Sequence, residues 1–167
     1  MSIVDDFRKE KDELFGTQKE SPLRQEQKSA FQGLKYFPED PKFHVQASLE
    51  KVDNELINVK TSAGDTEAYK RYGKLKFSLD GREHSLNAYQ SADSSHLFLP
   101  VMDGTNHSET YHDGRYVEIE DDNGKVDLDF NYAYNPYCAY NENFRCPITP
   151  EENTLDVEIK AGKKRFH

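Results

Sequence analysis

Short segments in which apolar and polar residues alternate constrain this chain more than any other feature. Every second residue is apolar in 43–49, 75–79 and 126–130, which is the pattern of a β-strand with one buried face. Further strands are predicted at 54–60, 82–89, 97–101, 117–119 and 155–159. Short strands separated by turn residues indicate an antiparallel sheet rather than a helical protein.

Two dipeptides predict how neighbouring strands are joined. Asp80-Gly81 and Asn123-Gly124 are typical of tight hairpins, because both central residues of such turns need a positive φ. Each strand has one polar face, and exposed sheet edges invite aggregation, so a curled or closed sheet is favoured. We predict a mainly β protein, an antiparallel barrel-like roll over residues 43–160, with a β-sandwich as the alternative.

The first 33 residues are predicted to be helical and to pack outside the roll. Ser2 with Asp5 resembles a capping box, and Gly16 is a candidate helix end. The apolar stripe consists of Ile3, Phe7, Leu14 and Phe15. Ser21-Pro22 predicts the start of a second helix that runs to about Phe31. No repeat or linker is apparent, so residues 1–167 are predicted to form a single domain.

Composition excludes several classes of function. The 167 residues include 31 acidic and 22 basic ones, for a net charge of −9, which argues against a nucleic-acid partner. No apolar run approaches the roughly 18 residues of a membrane span, and the first residues lack the apolar core of a signal peptide. We therefore expect a cytoplasmic protein with no membrane partner. Its oligomeric state is left open.

An irregular segment, 132–153, follows the strand that ends near Phe130. It is rich in tyrosine and asparagine, and it contains Asn135-Pro136, which is a turn signal. Tyrosine hydroxyls usually find partners when they are buried. Two interpretations stay open: a surface loop held by aromatic packing, or the wall of a ligand pocket.

Both cysteines of the chain, Cys138 and Cys146, lie in this segment. Their spacing does not match the paired ligands of a zinc site, and a cytoplasmic setting disfavours a disulfide. We predict reduced, largely buried thiols and no metal. Two alternatives are a pair that is close in space and a role in metal or redox chemistry.

A second polar cluster, residues 103–116, follows the apolar strand at 97–101. It is interpreted either as a loop with an Asx turn at Asp103, or as a site in which the planar fork of Arg115 binds a carboxylate or phosphate. The position of Arg115 in its strand predicts that its side chain points inward, so it needs a partner. Asp129 is favoured; Asp103 and Glu109 are alternatives.

We expect the two polar clusters to meet in one pocket. It would be lined by Asp103, Thr105, Tyr111, Arg115, Asp129, Asn131, Asn135, Tyr137 and Tyr140. The first hypothesis is a module that binds a small polar or anionic ligand, with Arg115 as anchor. The second is a structural plug with no ligand. The third is a hydrolase-like enzyme that uses Asp103 or Asp129 as general base. No nucleophile–base pair, phosphate-binding loop or cofactor motif is apparent, so no cofactor is predicted and catalysis stays open.

Three segments resemble a known family. They read FQGLKYFPEDPKF, LFLPVMDGTNHSETYHDGRY and LDFNYAYNPYCAYNENFRCPITPEENTL. They resemble the family catalogued as domain of unknown function 1684, and the resemblance spans residues 22–163. Residues that match the family's pattern include Asp103, Thr105, Arg115, Asp129, Asn131, Asn135, Cys138, Tyr140 and Cys146. The family ends this region with Ala-Gly-Glu, whereas this chain has Lys163 in place of the acid. The resemblance implies no activity.

Overall fold

The protein is described here by a computed structural model. The structure describes residues 3–17, 23, 27, 34–52, 55–91, 97–106, 108–140 and 146–164. Most of the predicted second helix, from Ser21 to Phe31, lies outside these residues, as does His107.

One helix and seven strands make up the regular structure of the described residues. The helix, α1, spans Ile3–Thr17. The strands are β1 His44–Lys51, β2 Leu56–Lys60, β3 Thr66–Leu79, β4 Arg82–Ser91, β5 Leu97–Val101, β6 Arg115–Glu118 and β7 Lys125–Asp129. Four short 3-10 helices span Pro41–Phe43, Phe130–Tyr132, Tyr137–Ala139 and Glu151–Asn153.

All seven strands belong to one antiparallel sheet. Its order is β6-β5-β4-β3-β1-β7, and β2 pairs with β3 beside this path. The sheet curls into a half-barrel, which confirms the predicted barrel-like roll. The alternation in the sequence places one face of the strands inward, so that Leu75, Leu86, Leu99, Val126 and Leu128 are almost fully buried in the main core.

Both predicted tight turns form, but only the first joins two strands that pair along their length, whereas the second is closed by the single Asp122–Lys125 bridge. Asp80 and Gly81 have φ values of 50° and 77°, and they join β3 to β4 with Leu79 opposite Arg82. Asn123 and Gly124 have φ values of 51° and 87° and precede β7. A positive φ at both central residues is the geometry that Asp-Gly and Asn-Gly adopt most readily.

The edge strands β6 and β7 do not pair with each other, and the chain after β7 bridges the gap between them. It forms the 3-10 helix Phe130–Tyr132 and then pairs with β6. The Tyr116 N–H donates to the Tyr134 carbonyl over 2.8 Å, and the Tyr134 N–H donates back over 2.9 Å. Residues 130–140 therefore span the gap in the half-barrel, and we name them the closing segment.

The predicted strand at 155–159 is not formed, which corrects the sequence interpretation. The segment has the expected alternation, with Leu155 and Ile159 buried. Its backbone bonds instead with loop residues and side chains: the Leu155 N–H donates to the Met102 carbonyl, and the Ile159 N–H to the Asp103 carboxylate. Because these partners are not a neighbouring strand, the alternation here marks an extended segment rather than a member of the sheet.

Helix α1 packs against the closing segment. The Phe7 ring meets Tyr132 edge-on at 4.9 Å between ring centres, and the Phe15 ring meets Tyr140 at 4.7 Å. Two details differ from expectation. The helix continues through Gly16 to Thr17, and Val4 is buried whereas Ile3 is exposed. The apolar stripe is therefore rotated relative to the predicted one.

Candidate functional site

Arg115 lies inside the half-barrel, as its position in β6 predicts, with only 3% of the residue exposed. Its Nη2 donates to the Asp103 carboxylate over 3.1 Å and to the Ile159 carbonyl over 2.9 Å. Its Nη1 donates to the Lys163 carbonyl over 3.1 Å and to the Ala161 carbonyl. Three alternate carbonyls of the extended C-terminal segment, those of Ile159, Ala161 and Lys163, therefore accept from the same guanidinium. Burial lowers the pKa of Arg115, and the Asp103 carboxylate opposes this effect.

The Arg115 partner is Asp103, not Asp129, which corrects the favoured pairing. Asp103 also accepts from the Ile159 N–H over 2.8 Å and from the Thr105 N–H over 3.0 Å and the Thr105 Oγ1–H over 2.5 Å. Asp129 lies on β7, at the opposite edge of the sheet from Arg115 on β6. The alternating pattern predicts the side to which a residue points, but not which chain segment covers that side.

Gly114 sets the direction in which Arg115 enters β6. Its φ is +96°, and an added Cβ would lie 2.7 Å from the Val101 carbonyl oxygen and clash with the Thr149 hydroxyl. Only glycine tolerates both the dihedral and the close approach. We name the buried group of Asp103, Thr105 and Arg115, with the carbonyls that Arg115 binds, the arginine cluster.

A cavity of ≈ 690 Å³ lies at the gap between the two edge strands. Its lining combines aromatic rings, carboxylates and amines. The lining residues are Ile3, Phe7, Lys11, Phe15, His44, Glu118, Asp127, Asp129, Tyr132, Tyr134, Asn135, Tyr137 and Lys163. Helix α1 supplies one wall, the closing segment another, and the strands β1, β6 and β7 the rim. This size is within the range of small-molecule sites.

Lys163 is the buried cation of this cavity. The residue is 2% exposed, and its Nζ lies over the rings of Phe15, Tyr140 and Tyr36, at 4.6, 5.7 and 5.9 Å from their centres. It forms no ion pair within the described part of the chain. Burial lowers the pKa of Lys163 to about 7, an effect that Lys11 reinforces and Asp12 opposes.

Gly162 directs the Lys163 side chain into the cavity wall. Its φ is +75°, and an added Cβ would lie 2.7 Å from the Phe130 carbonyl oxygen and 2.8 Å from the Ala133 Cβ. The chain can therefore turn at this point only with glycine. The two buried cations are thus each placed by a glycine in the left-handed region.

Asn135 offers a buried acceptor at the same wall. Its Nδ2 donates to the Tyr140 hydroxyl over 3.2 Å and to the Lys164 carbonyl over 3.0 Å. Its Oδ1 is buried and has no hydrogen-bond partner among the described residues. A buried acceptor that lacks a partner costs free energy, and in a cavity wall it is a contact point for a donor on a ligand.

The far rim of the cavity is acidic. The His44 Nε2 lies 2.7 Å from the Asp127 carboxylate, and the His44 Nδ1 lies 3.8 Å from that of Asp129. The hydrogen bond to Asp127 raises the pKa of His44. Asp129 Oδ1 accepts from the Asn131 N–H over 3.0 Å and from its Nδ2 over 2.9 Å. This carboxylate therefore has a fixed orientation beside the cavity.

The two cysteines are both free thiols, and they lie close enough that each shifts the pKa of the other. Cys138 is partly exposed and Cys146 is buried. The Tyr111 hydroxyl lies 3.5 Å from the Cys138 Sγ, and the Cys146 N–H donates to the Ser62 Oγ over 3.0 Å. Of the interpretations left open, the structure favours a pair that is close in space. No cluster of three or more His, Cys, Asp or Glu that could hold a metal occurs in the described ranges.

The predicted site residues do not share one pocket. They lie at or next to the cavity, in the arginine cluster, or, for Tyr111, beside Cys138. The residues that line the cavity are Asp129, Asn135 and Tyr137. The residues of the arginine cluster are Asp103, Thr105 and Arg115. Asn131 and Tyr140 are buried next to cavity residues, and Tyr111 contacts Cys138. The sequence analysis did not predict that Lys163 and α1 line the cavity. Two features could have indicated it: Lys163 replaces the acid of the family's pattern, and α1 carries Phe7 and Phe15.

The fold and these sites define a class of protein. It is a curled antiparallel half-barrel with a helix packed across its open side and a buried, hydrogen-bonded arginine side chain in its interior. The model of the family described as protein of unknown function (DUF1684) matches residues 29–164. The chain belongs to this family. Helix α1 precedes the matched residues, so one cavity wall comes from outside them.

The chain also resembles a solved structure. The chain is similar to the uncharacterized protein from gene locus rrnAC0354 of Haloarcula marismortui, known from a solution NMR structure, with 37% sequence identity and a TM-score of 0.73. The match covers 96% of this chain and 91% of that chain. No curated protein matches this chain.

Among the helices that the structure describes, none is long and apolar enough to cross a membrane. The cytoplasmic location, the single-domain organisation and the exclusion of nucleic acid stay predictions.

Proposed function

We propose that the protein binds a small anionic organic molecule in the cavity between α1 and the edge strands. The observation that carries the proposal is Lys163, a buried amine that lines the cavity and has no carboxylate partner in the described residues. Buried charges in proteins are normally paired. A carboxylate or phosphate on a ligand would supply the missing partner and offset the cost of burying the ammonium group.

The other walls indicate what the rest of the ligand is like. Phe7, Phe15 and Tyr137 offer aromatic surfaces for a flat apolar body. Asn135 Oδ1 and the Asp129 carboxylate are acceptors for hydrogen-bond donors. The lining therefore fits a molecule with an anionic group near Lys163 and one or more donors toward the acidic rim. Arg115 is not the anchor, because its donors already bind Asp103 and carbonyls.

The structural-plug hypothesis describes the arginine cluster rather than the cavity. Asp103 is also a poor general base, because its oxygens accept from Arg115, Thr105 and the Ile159 N–H. Asp129 is the one carboxylate of the hydrolase hypothesis that lies at the cavity. No described nucleophile is held against it, so binding is the function that we propose.

Proton uptake distinguishes binding at Lys163 from binding elsewhere. The amine has a pKa of about 7 in the free protein, so part of the population is neutral at pH 7.5. An anion that binds next to it favours the ammonium form and raises its pKa. We expect the affinity for such a ligand to fall as the pH rises above 7.

The test is a calorimetric titration with benzoate, 4-hydroxybenzoate and phenyl phosphate. Each is measured at pH 7.5 in two buffers that differ in ionisation enthalpy. We expect at least one of them to bind with net proton uptake and Lys163→Met to weaken binding about tenfold or more. The matched control is Lys160→Met, which removes an exposed lysine near Glu109 and Glu158 and leaves binding unchanged. Equal affinity of wild type and Lys163→Met would contradict the proposal. Native mass spectrometry of protein purified from its host would show a retained ligand directly.

A further inference from the structure

The cysteine pair lies outside both the arginine cluster and the residues that line the cavity. Cys138 belongs to the 3-10 helix Tyr137–Ala139, and Cys146 lies next to the short bridge that joins Thr61 to Pro147. A chain segment of seven residues, 139–145, separates the two cysteines, yet their side chains lie close enough that each shifts the pKa of the other. The fold therefore brings together two sulfur atoms that the sequence only suggests could be close.

Polar groups surround this pair and hold it in a defined arrangement. Ser62 binds Cys146 twice, because its N–H donates to the Cys146 carbonyl over 2.9 Å and its Oγ accepts from the Cys146 N–H over 3.0 Å. The same serine side chain is near enough to the Cys138 thiol to lower its pKa. The Tyr111 hydroxyl lies 3.5 Å from the Cys138 Sγ. A pair of cysteines that only filled space in an apolar core would not need the Tyr111 hydroxyl beside one sulfur atom and a serine that binds the other cysteine through two hydrogen bonds.

These contacts favour Cys138 as the sulfur that loses its proton. The hydrogen bond from Cys146 is the largest cause that lowers the pKa of Cys138 to about 6, and the hydroxyls of Tyr111 and Ser62 add to it. Burial and the Asp113 carboxylate act in the opposite direction. The pKa of Cys146 is raised by the same hydrogen bond. Cys138 is also the partly exposed member of the pair, so a small oxidant can reach it.

We infer that Cys138 and Cys146 form a peroxide-reactive dithiol, in which Cys138 is oxidised first and Cys146 closes a disulfide. The Cys138 thiolate attacks one oxygen of hydrogen peroxide and breaks the O–O bond, which yields a sulfenic acid on Cys138 and hydroxide. The hydroxide takes up one proton and becomes water. The Cys146 thiol then attacks the Cys138 sulfur, its proton leaves with the sulfenic oxygen as a second water, and the S–S bond forms. Two thiols and one peroxide thus give one disulfide and two waters.

The first measurement follows the reduced wild-type protein after addition of hydrogen peroxide, by intact mass with dimedone present. We expect the loss of two hydrogen atoms and no dimedone adduct, because Cys146 is close enough to resolve the sulfenic acid. Peptide mapping should then show a bond between Cys138 and Cys146. Cys146→Ser should accumulate the dimedone adduct on Cys138, and Cys138→Ser should react far more slowly. A sulfenic acid that persists in the wild type would overturn the inference.

The pH profile separates this arrangement from that of an ordinary buried thiol. The rate should reach half its maximum near pH 6, the pKa of Cys138. At pH 6 the protein should react about tenfold faster than glutathione, because the gain in thiolate exceeds the loss of nucleophilicity. Three titratable groups of the described residues face Cys138, and they are Cys146, Tyr111 and Asp113. Tyr111→Phe removes one donor and should move the midpoint of the profile to higher pH. A wild-type rate equal to that of glutathione at pH 6 would refute the inference without any variant.

Discussion

Among the residues that the structure describes, two buried basic side chains, Arg115 and Lys163, lie near each other. They differ in whether the fold supplies partners for the charged group. Arg115 binds Asp103 and three carbonyls of the C-terminal segment. The Lys163 ammonium group lies over aromatic rings at a cavity wall and has no ion-pair partner among the described residues. The two are linked, because the backbone carbonyl of Lys163 is one of the acceptors of Arg115. The same stretch of chain therefore supplies hydrogen-bond acceptors to Arg115, whereas Lys163 has no carboxylate partner in the described ranges.

This difference separates a structural role from a binding role. A guanidinium with five donors in a rigid fork can be satisfied entirely by fixed protein groups, and Arg115 approaches this condition. An ammonium group over aromatic faces gains cation–π attraction, but it keeps donors for a further partner. Because the protein supplies the partners of Arg115, we expect its mutation to reduce stability. Because the described residues supply no carboxylate for Lys163, we expect its mutation to reduce ligand binding.

The largest expected effect comes from the arginine cluster. Arg115→Ala would leave the Asp103 carboxylate buried without its cation, and breaking a buried pair in this way costs about 3–5 kcal/mol. Arg115→Lys should also destabilise the protein, because a lysine cannot reach all four acceptors of the planar fork. Urea unfolding at pH 7 measures both. A melting temperature of Arg115→Ala within about one degree of wild type would show that the cluster contributes no stability.

A smaller effect is expected at the glycine that places Lys163. Gly162→Ala should cost roughly 1–3 kcal/mol, because φ is +75° and the added Cβ would lie 2.7 Å from the Phe130 carbonyl oxygen. It should also weaken ligand binding, since the lysine must shift. Gly64→Ala is the matched control: φ there is +91°, but no atom lies within 4 Å of the added Cβ. Equal costs for the two variants would show that only the dihedral matters, and not the contact with the closing segment.

The smallest expected effect is a pH dependence that Lys163 adds to stability. Its pKa falls from 10.5 to about 7 on folding, so above pH 7 the unfolded state binds more protons than the folded state. The free energy of unfolding of wild type should therefore rise with pH in this range. Lys163→Met should lack this component, by about 1 kcal/mol between pH 7 and 8. The other titrating groups, including Cys138 and the tyrosines, are common to both proteins and cancel in the difference. Parallel stability curves from pH 7 to 9 would mean that Lys163 is charged throughout.

Some of the site could be predicted from sequence because it depends on local geometry. The inward direction of Arg115 follows from its position in the alternating pattern of β6, and burial confirms it. Its partner could not be predicted, because Asp103 and Asp129 were both available and only the path of the C-terminal segment decides between them. The same path explains why the alternation at 155–159 gives an extended segment and no strand.

The class of the fold, the two tight turns and the inward arginine could be predicted from the sequence, because alternation and positive-φ dipeptides act over a few neighbouring residues. Which side chains lie next to one another depends on how distant segments of the chain pack together. Lys163 meets Phe15 of α1, Tyr111 meets Cys138, and Cys138 meets Cys146. The properties of these groups come from desolvation and from partners that are distant in the chain, and neither can be read from the residues beside them.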